Sequence, residues 1–392
     1  MLKSNYYVYN VAAGVKNFGH NLRMHKFVDP LLEIDPVSDY EAYKDYIIKW
    51  KSSVPEGVGS YNFRRCNLET TMYGHGKALY KYAYAGFEGE VPYRKIPYVE
   101  HGIYFGGNYW PIAHHFSIIS QGTFREEILH KTLPEFPIFS VGPLVHYAEP
   151  MISETEISEY KKKLGKTLFV FPTHDYENSK TEYGRQSFVD SIMNTYAKSF
   201  DTVLVSAYWN DVADPVYDMF KACGAKIVSC GFKFDTNFIR RLKTLMLVSD
   251  ATLGNSLGTH IGYSLYLNRP HILTPCADMT KYDKAAALRD DKIGKNERFS
   301  ELSKFWDIFS YRNYLDRTDN GSNPMYKEYW GGEECVKTPE EIRAIIEINT
   351  DLIKSVRGCF GRKLEAAKLL LRKYEKDNDT LKYSLLRASV KI

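Results

Sequence analysis

The sequence predicts an α/β protein built on parallel sheets, and three observations support this prediction. Short, continuous apolar segments such as Thr167–Phe171 alternate with longer amphipathic segments along most of the chain. Continuous apolar strands that alternate with helices are typical of parallel sheets with both faces covered. Polar or Gly-rich residues follow the end of one apolar segment after another. The length of 392 residues is enough for two domains of ordinary size.

The individual elements follow from the spacing of apolar residues and from the turn residues between them. The predicted strands are Tyr7–Ala12, Ile96–Val99, Phe116–Ser120, Pro137–Val141, Thr167–Phe171, Thr202–Ser206, Lys226–Ser229, Leu245–Ser249 and the segment after Pro270. The predicted helices are Asp39–Lys51, Phe124–Lys131, Ile152–Leu164, Gln186–Phe200, Ala213–Cys223, a helix within Phe234–Leu247 that runs into the following strand, Thr259–Leu267, Pro339–Ile353 and roughly Arg362–Lys376. They indicate two Rossmann-like domains, over residues 1–148 and 149–335, followed by C-terminal helices over residues 336–392.

Composition indicates a cytoplasmic globular protein with reduced thiols. Hydrophobic residues make up 44% and charged residues 26% of the chain, no apolar run reaches the ~20 residues that span a bilayer, and the N-terminus lacks a signal-peptide core. The net charge of +4 does not suggest a nucleic-acid partner. Residues 362–391 contain nine basic and four acidic residues in a helical pattern. This segment is expected either to pack back on the N-terminal domain or to contact the inner face of the cell membrane.

The segment 248–273 is the most informative part of the chain. It reads as a strand, a polar Gly-rich turn over Gly254–Gly258, a helix from Thr259 and a second strand. A helix N-terminus carries partial positive charge and unpaired N–H donors, so this turn predicts a phosphate site. Similar polar residues follow the earlier strands, and ligands of parallel sheets bind beyond the carboxyl ends of the strands. The predicted donor-binding residues are Thr173, His174, Ser206, Gly231, Asn255, Ser256, Gly258, Thr259 and His260.

The order of these segments resembles that of bacterial cell-surface polymer transferases, especially the CDP-glycerol-type teichoic acid enzymes and neighbouring capsule and lipopolysaccharide transferases. The motifs that carry the resemblance are Val99-Glu100-His101-Gly102-Ile103, Ser120-Gln121-Gly122, Val141-Gly142-Pro143, Phe171-Pro172-Thr173, Ser249-Asp250 with Asn255-Ser256, and Tyr266-Leu267-Asn268-Arg269-Pro270. The resemblance implies the GT-B fold, in which two Rossmann-like domains face a central cleft. It implies a peripheral enzyme that moves a sugar from a nucleotide-activated donor to a polysaccharide or lipid-linked acceptor. The acidic-Ser-Ser pattern of that family is absent here, so the donor nucleotide stays open.

His101 is the predicted catalytic base, because an imidazole can deprotonate an attacking hydroxyl near neutral pH. The resemblance also implies a catalytic histidine at this position, and Glu100 could orient it or act as the base itself. His20 and His75 are the predicted acceptor-binding residues. Two alternatives stay open, which are a nucleotide-sugar 2-epimerase and a non-catalytic polysaccharide assembly or binding protein on the same fold.

No metal cofactor is expected. His114-His115 has no acidic partner at metal-ligand spacing, and no Asp-X-Asp pair follows a predicted strand. In the implied fold, helix dipoles and side-chain donors stabilise the leaving phosphate without a metal. Full activity is therefore expected in EDTA, and a loss that Mg²⁺ restores would contradict metal independence.

Overall fold

The computed structural model describes residues 28–53, 68–103, 115–174, 179–274, 280–283, 324–355 and 363–391. The strands are β1 (Tyr98–Val99), β2 (Ile118–Ser120), β3 (Ile138–Ser140), β4 (Thr167–Phe171), β5 (Ser179–Glu182), β6 (Thr202–Ser206), β7 (Lys226–Val228), β8 (Ala251–Gly254), β9 (His271–Leu273) and β10 (Thr280–Asp283). The helices are α1 (Tyr40–Ser53), α2 (Leu68–Thr71), α3 (His75–Ala83), α4 (Thr123–Thr132), α5 (Glu154–Leu164), α6 (Arg185–Ser191), α7 (Pro215–Ala222), α8 (Phe238–Val248), α9 (Thr259–Tyr266), α10 (Pro324–Trp330), α11 (Pro339–Ser355), α12 (Lys363–Lys376) and α13 (Thr380–Ala388). The predicted strand Tyr7–Ala12 lies outside the described residues.

The described residues group into two compact units by their contacts. The first unit contains residues 68–103, 115–148, 324–355 and 363–391. The second unit contains residues 28–53, 149–174, 179–274 and 280–283. Helix α1 therefore belongs to the second unit, and the C-terminal helices belong to the first. The domain boundaries after residues 148 and 335 stay a prediction.

The second unit has a Rossmann-like sheet. Its five parallel strands lie in the order β7-β6-β4-β8-β9, which is 3-2-1-4-5 in chain order and reverses direction between β4 and β8. The strand centres carry apolar side chains that are fully buried, such as Val170, Val205 and Leu253. In such sheets ligands bind outside the carboxyl ends of the strands, at the point where the order reverses. The strand order alone therefore predicts a ligand site at the carboxyl ends of β4 and β8.

The first unit has a smaller parallel sheet in the order β1-β2-β3. Helix α4 connects β2 to β3 and packs with them around one apolar cluster, which consists of Tyr98, Ile118, Leu129, Leu133, Phe136 and Ile138. Helix α11 packs against α3, α12 and α13 in the same unit. Each unit thus combines a parallel sheet with helices, so the predicted α/β class is confirmed.

The predicted strand Leu245–Ser249 is wrong. Leu245–Val248 form the end of α8, Ser249 is its C-cap, and the strand is β8, which begins at Ala251. The reason is the spacing of the buried residues of α8, because Ile239, Leu242 and Met246 recur at helical intervals. The continuous apolar run Leu245–Val248 satisfies a strand pattern as well, so the local pattern alone does not separate the two.

The apolar face of α12 packs inside the first unit. The buried residues of α12 include Ala367, Leu371 and Tyr374, which recur at helical spacing, and α12 contacts α11 and α13. Helix α13, which was not predicted from the sequence, has Asp379 as its N-cap, whose carboxylate accepts a hydrogen bond from the Lys382 N–H. Among the described residues, no helix is long and apolar enough to cross a membrane. Membrane contact through residues 362–391 stays a prediction.

Candidate functional site

The predicted donor-binding residues of the second unit lie at one edge of its sheet. Each follows or ends a strand, and the strand order places them along the edge as Gly231, Ser206, Thr173 with His174, and then Asn255 with Ser256. Helix α9 starts directly after Gly258, its N-cap residue, which as a glycine has no side chain to cap the helix. The edge therefore combines the point of strand reversal with the positive end of a helix.

Asn255 connects the two strands at the point of reversal. Its side chain is completely buried, and Oδ1 accepts a hydrogen bond of 2.7 Å from the Thr173 backbone N–H. This bond sets the orientation of the carboxamide, because only Oδ1 can accept. Nδ2 is buried and has no hydrogen-bond partner among the described residues. A buried donor without a partner destabilises a protein by roughly 1–3 kcal/mol, so an acceptor on a ligand would stabilise this arrangement.

His260 occupies the space that the glycines of the turn provide. Its imidazole stacks on Phe171 with ring centroids 4.7 Å apart. A Cβ at Gly254 would lie 2.9 Å from Nε2 of His260, and one at Gly258 would lie 2.8 Å from Nδ1. Such contacts are shorter than side chains tolerate, so both glycines are needed to accommodate the ring. Gly258 was predicted only as part of a phosphate-binding turn, and its role in accommodating the His260 ring was not predicted.

The imidazole of His260 is neutral at physiological pH. Burial lowers its pKa to about 3, and the nearby His174 contributes to the shift. His260 can therefore offer a phosphate one N–H donor but no positive charge. Its Nε2 has no hydrogen-bond partner among the described residues.

A chain of hydrogen bonds holds α9 on the sheet. Ser264 Oγ donates to the His260 carbonyl at 2.7 Å, so Ser264 Oγ accepts from Thr252 Oγ1 at 2.9 Å. Thr252 Oγ1 has then used its only proton, and it must accept from Nδ1 of His271 at 2.8 Å. His271 is thus a neutral imidazole protonated at Nδ1, and burial lowers its pKa well below the ordinary value. This network was not predicted. Its signal in the sequence is the presence of small polar residues in an apolar strand and in the helix that follows it.

The buried histidines predict a loss of stability in mild acid. A folded-state pKa of about 3 for His260 lies below the ~6.5 of an unfolded histidine, so the unfolded chain binds more protons between these values. Stability is then complete above about pH 6.5 and falls at lower pH by about 1.4 kcal/mol per pH unit for each such histidine. Urea unfolding at pH 7.5 and pH 5.0 measures the effect. His260→Gln should lose about 2 kcal/mol less over this interval than the unchanged protein, and an equal loss in both would contradict the assignment.

The remaining donor-side residues differ in their surroundings. His174 stacks on Tyr208 with ring centroids 3.9 Å apart, while Ser256 and Thr259 are half-buried in the turn. Ser206 lies beside the buried Cys230 thiol, whose pKa burial raises to about 12.

Gly231 adopts φ +103°, and a Cβ there would lie 2.9 Å from the carboxylate of Asp235, which pairs with Arg241. Gly231 therefore has a structural reason to be glycine that requires no ligand.

The first unit places His101 two residues beyond β1, where its side chain is half-buried. The Tyr73 ring lies between two imidazoles, with centroids 5.6 Å from His101 and 5.8 Å from His75. Tyr73 has φ 55°, which is unfavourable for a bulky side chain. The other described non-glycine residues with positive φ are both asparagine, a residue that tolerates this conformation.

His75 is a buried, neutral imidazole. Its side chain is 3% exposed, and burial, with a smaller effect of His101, lowers its pKa to about 3. It is buried and its ring contacts the Tyr73 ring, so direct contact with an acceptor would require a change in this packing. His20, the other predicted acceptor-binding residue, lies outside the described residues.

Glu100 forms a buried ion pair. Both carboxylate oxygens accept hydrogen bonds from Arg125, with Oε1 2.6 Å from Nη2 and Oε2 3.0 Å from Nε. Glu100 is 3% and Arg125 2% exposed. The Glu100 carboxylate therefore has a structural role that the sequence did not predict. Because both of its oxygens are bonded to Arg125, His101 is the stronger candidate for the base.

Breaking this pair is expected to destabilise the protein strongly. Arg125→Met would leave the Glu100 carboxylate buried and unpaired, with an expected loss of about 3–5 kcal/mol in the free energy of unfolding. The double variant Glu100→Gln/Arg125→Met should lose less than the sum of the single changes, as urea unfolding can measure. Lys221→Met is the control, because the pair between Lys221 and Glu41 is exposed and should contribute little to the free energy of unfolding. Equal effects of Arg125→Met and Lys221→Met would contradict the prediction.

One polar residue at the edge of the first sheet was missed as a candidate. Gln121 follows β2, is 4% exposed, and neither its Oε1 nor its Nε2 has a hydrogen-bond partner among the described residues. The sequence did contain a signal for Gln121, because Asn255 was selected as a polar residue that follows a predicted strand and Gln121 also follows one. The described residues contain no group of three or more His, Cys, Asp or Glu side chains that could hold a metal ion.

Comparison with known proteins gives weak similarities. No protein-family model and no curated protein sequence matches the chain. A UDP-GlcNAc 2-epimerase from Neisseria meningitidis bound to UDP-GlcNAc is 15% identical with a TM-score of 0.35, over 85% of this chain and 89% of that one.

Two plant proteins show weaker similarity. UGT2 from Phytolacca americana, complexed with UDP-2-fluoro-glucose and pterostilbene, is 13% identical with a TM-score of 0.24, over 67% of this chain and 54% of that one. UGT71G1 from Medicago truncatula, complexed with UDP-glucose, is 12% identical with a TM-score of 0.25, over 72% and 61%. These values do not show a family, so the functional assignment depends on the residues of the site.

Proposed function

We propose that this protein is a glycosyltransferase of the GT-B type that moves a sugar from a nucleotide-activated donor to a polysaccharide or lipid-linked acceptor. The relation to the teichoic acid, capsule and lipopolysaccharide transferases is part of the proposal. The observation that carries it is the carboxamide of Asn255, which lies where the strand order reverses. Oδ1 is bonded to the Thr173 N–H, and Nδ2 is a buried donor that lacks a partner among the described residues.

The proposed donor site is suited to a phosphate group. Helix α9 contributes its N-terminal N–H groups, and its N-cap residue Gly258 has no side chain that could bond to them. Ser256 and Thr259 can add hydroxyl donors, and neutral His260 can add one N–H. These groups supply hydrogen-bond donors toward an anion in a partly desolvated place, where they are most effective.

The proposed reaction is a single displacement. His101 accepts the proton of the acceptor hydroxyl while that oxygen attacks the anomeric carbon, and the bond from this carbon to the donor phosphate oxygen breaks. The leaving nucleotide takes the bonding electrons, and the α9 N-terminus with Asn255 Nδ2 stabilises its negative charge. A one-step displacement inverts the anomeric centre and needs one base. The reaction is proposed to need no metal.

A nucleotide screen tests the proposal. Thermal unfolding is measured with UDP-, GDP- and CDP-linked sugars and with a CMP-linked sugar, and one of these should raise the unfolding temperature. Transfer and epimerisation are then distinguished by the products of the stabilising donor, with and without an oligosaccharide acceptor. If none of the donors stabilises the protein, the proposal is wrong. If the donor's sugar is epimerised without an acceptor, transfer is not the activity.

A further inference from the structure

We propose that Gln121, with Ser120, forms a binding site for a neutral polyhydroxyl compound, such as a saccharide or a polyol, at the carboxyl edge of the sheet in the first unit. The inference rests on the proposed function in one respect, because it assigns this site to the acceptor. The existence of the site itself depends only on the residues of the first unit.

The side chain of Gln121 is buried without the partners that burial requires. It is 4% exposed, and Oε1 and Nε2 both lack hydrogen-bond partners among the described residues. Ser120 is 1% exposed, and its Oγ lacks a described partner as well. Native proteins pair the great majority of their buried polar side-chain atoms with protein or water. Three such atoms on two consecutive residues indicate a place where something else supplies the hydrogen bonds.

The backbone around Gln121 is tightly held. Its carbonyl accepts a hydrogen bond of 3.0 Å from the Gly142 N–H, which links the ends of β2 and β3. A Cβ at Gly331 would lie 2.3 Å from the same carbonyl oxygen, and a Cβ at Gly122 would lie 2.5 Å from the Glu328 carbonyl oxygen. Gly331 has φ +71°, so glycine is needed there for two reasons. The missing partners of the carboxamide are therefore not explained by a loose loop.

Gln121 and the proposed base His101 follow two paired strands of the same sheet. Val99 of β1 pairs with Ile119 of β2 in parallel register, and the Glu100 N–H continues the ladder to the Ile119 carbonyl at 3.1 Å. His101 and Gln121 are each two residues beyond the paired positions. The two residues therefore follow neighbouring strands at the same edge of one sheet.

The chemistry of these groups favours hydroxyl groups over an anion. A carboxamide offers two N–H donors and an oxygen acceptor, and the hydroxyl of Ser120 both donates and accepts. Vicinal hydroxyls satisfy both kinds of group, whereas a fully ionised phosphate group only accepts and would leave Oε1 unpaired. The Arg125 guanidinium, four residues along the chain from Gln121, is bound by Glu100, and His75 of the same unit is neutral at physiological pH. A ligand without charge fits this environment best.

Gln121→Met tests the proposal, since methionine keeps the length of the side chain and removes its polar atoms. Removing a buried polar group that has no partner should raise the unfolding temperature of the free protein. The same change should weaken binding of neutral hydroxyl probes by about tenfold or more. Binding is measured by saturation-transfer NMR with glycerol, N-acetylglucosamine and lactose, and inorganic phosphate serves as the anionic probe. Ser120→Ala should have the same two effects to a smaller extent.

Gln186→Met is the matched control, because Gln186 is exposed and its Nε2 donates to Asp190 at 2.9 Å. It should change neither stability nor probe binding noticeably. Higher stability of Gln121→Met combined with weaker binding of at least one neutral probe supports the site, since a residue with a merely structural role would lose stability. Lower stability of Gln121→Met, no neutral probe bound by the unchanged protein, or binding by phosphate in preference to the neutral probes would overturn it. Nucleotide-sugar binding measured on the same samples reports on the proposed function separately, because that site is assigned to the second unit.

Discussion

His101→Asn is expected to lower the rate of sugar transfer by about 10²–10⁴-fold, which is the usual contribution of a general base. The reason is that an acceptor hydroxyl must lose its proton as it attacks, and Glu100 is held by both of its oxygens on Arg125. Donor binding should be unchanged, because it is assigned to residues of the second unit. Turnover and the donor dissociation constant are measured with the nucleotide sugar that the screen identifies.

The pH dependence of turnover distinguishes the proposed role of His101 from that of the nearby His75. A base must be deprotonated, so activity falls when the pH drops through its pKa, and this acid limb should vanish in His101→Asn. His75→Asn is the control, because burial lowers the pKa of His75 to about 3 and its protonation lies below the range of the assay. The control should lose stability and keep the limb. An acid limb that persists in His101→Asn, or turnover within about threefold of the unchanged protein, would show that His101 is not the base.

The second unit shows what the sequence could predict. Strands β4 and β6 have the predicted bounds, because each is a continuous apolar run between polar turns. Helix α9 was also predicted to within one residue. Asn255 could be selected because polar residues after parallel strands meet at one edge of the sheet. Local patterns were sufficient wherever the period of apolar residues and the turn residues agreed.

Pairings between distant residues could not be predicted in this way. The bond between Asn255 and Thr173 joins residues 82 positions apart, and the pair of Glu100 with Arg125 requires α4 to fold over the end of β1. The fit of the His260 ring between two glycines depends on side-chain packing, which a single sequence does not report. Gln121 belongs to one of the motifs that carry the resemblance, but only the structure shows that its carboxamide is buried and lacks described partners. These misses concern tertiary contacts, whereas the wrong strand Leu245–Ser249 and the unpredicted helix α13 are errors of local structure. None of them concerns the class of the fold.

Asn255→Asp is expected to weaken donor binding by about ten- to a hundredfold, equivalent to about 1.4–3 kcal/mol. The change is nearly isosteric, and one carboxylate oxygen can still accept from the Thr173 N–H, as Oδ1 does at 2.7 Å. The other oxygen replaces the donor Nδ2 and presents negative charge to the phosphate. Isothermal titration with the nucleotide sugar measures the loss. The same nucleoside without phosphates should show little change, because it lacks the group that Nδ2 is proposed to contact.

Asn349→Asp provides a matched control in the first unit. Asn349 is also buried, but both ends of its carboxamide have partners, since Oδ1 accepts from Ser117 Oγ at 2.6 Å and Nδ2 donates to the Lys95 carbonyl at 2.9 Å. Its replacement breaks an existing bond, so the free energy of unfolding should fall by about 1–3 kcal/mol while donor affinity stays the same. Asn255→Asp should show the opposite balance, with the larger effect on affinity. If both variants lose stability and Asn255→Asp binds the nucleotide sugar normally, the Asn255 carboxamide is a structural link between β4 and β8, and the phosphate must bind elsewhere.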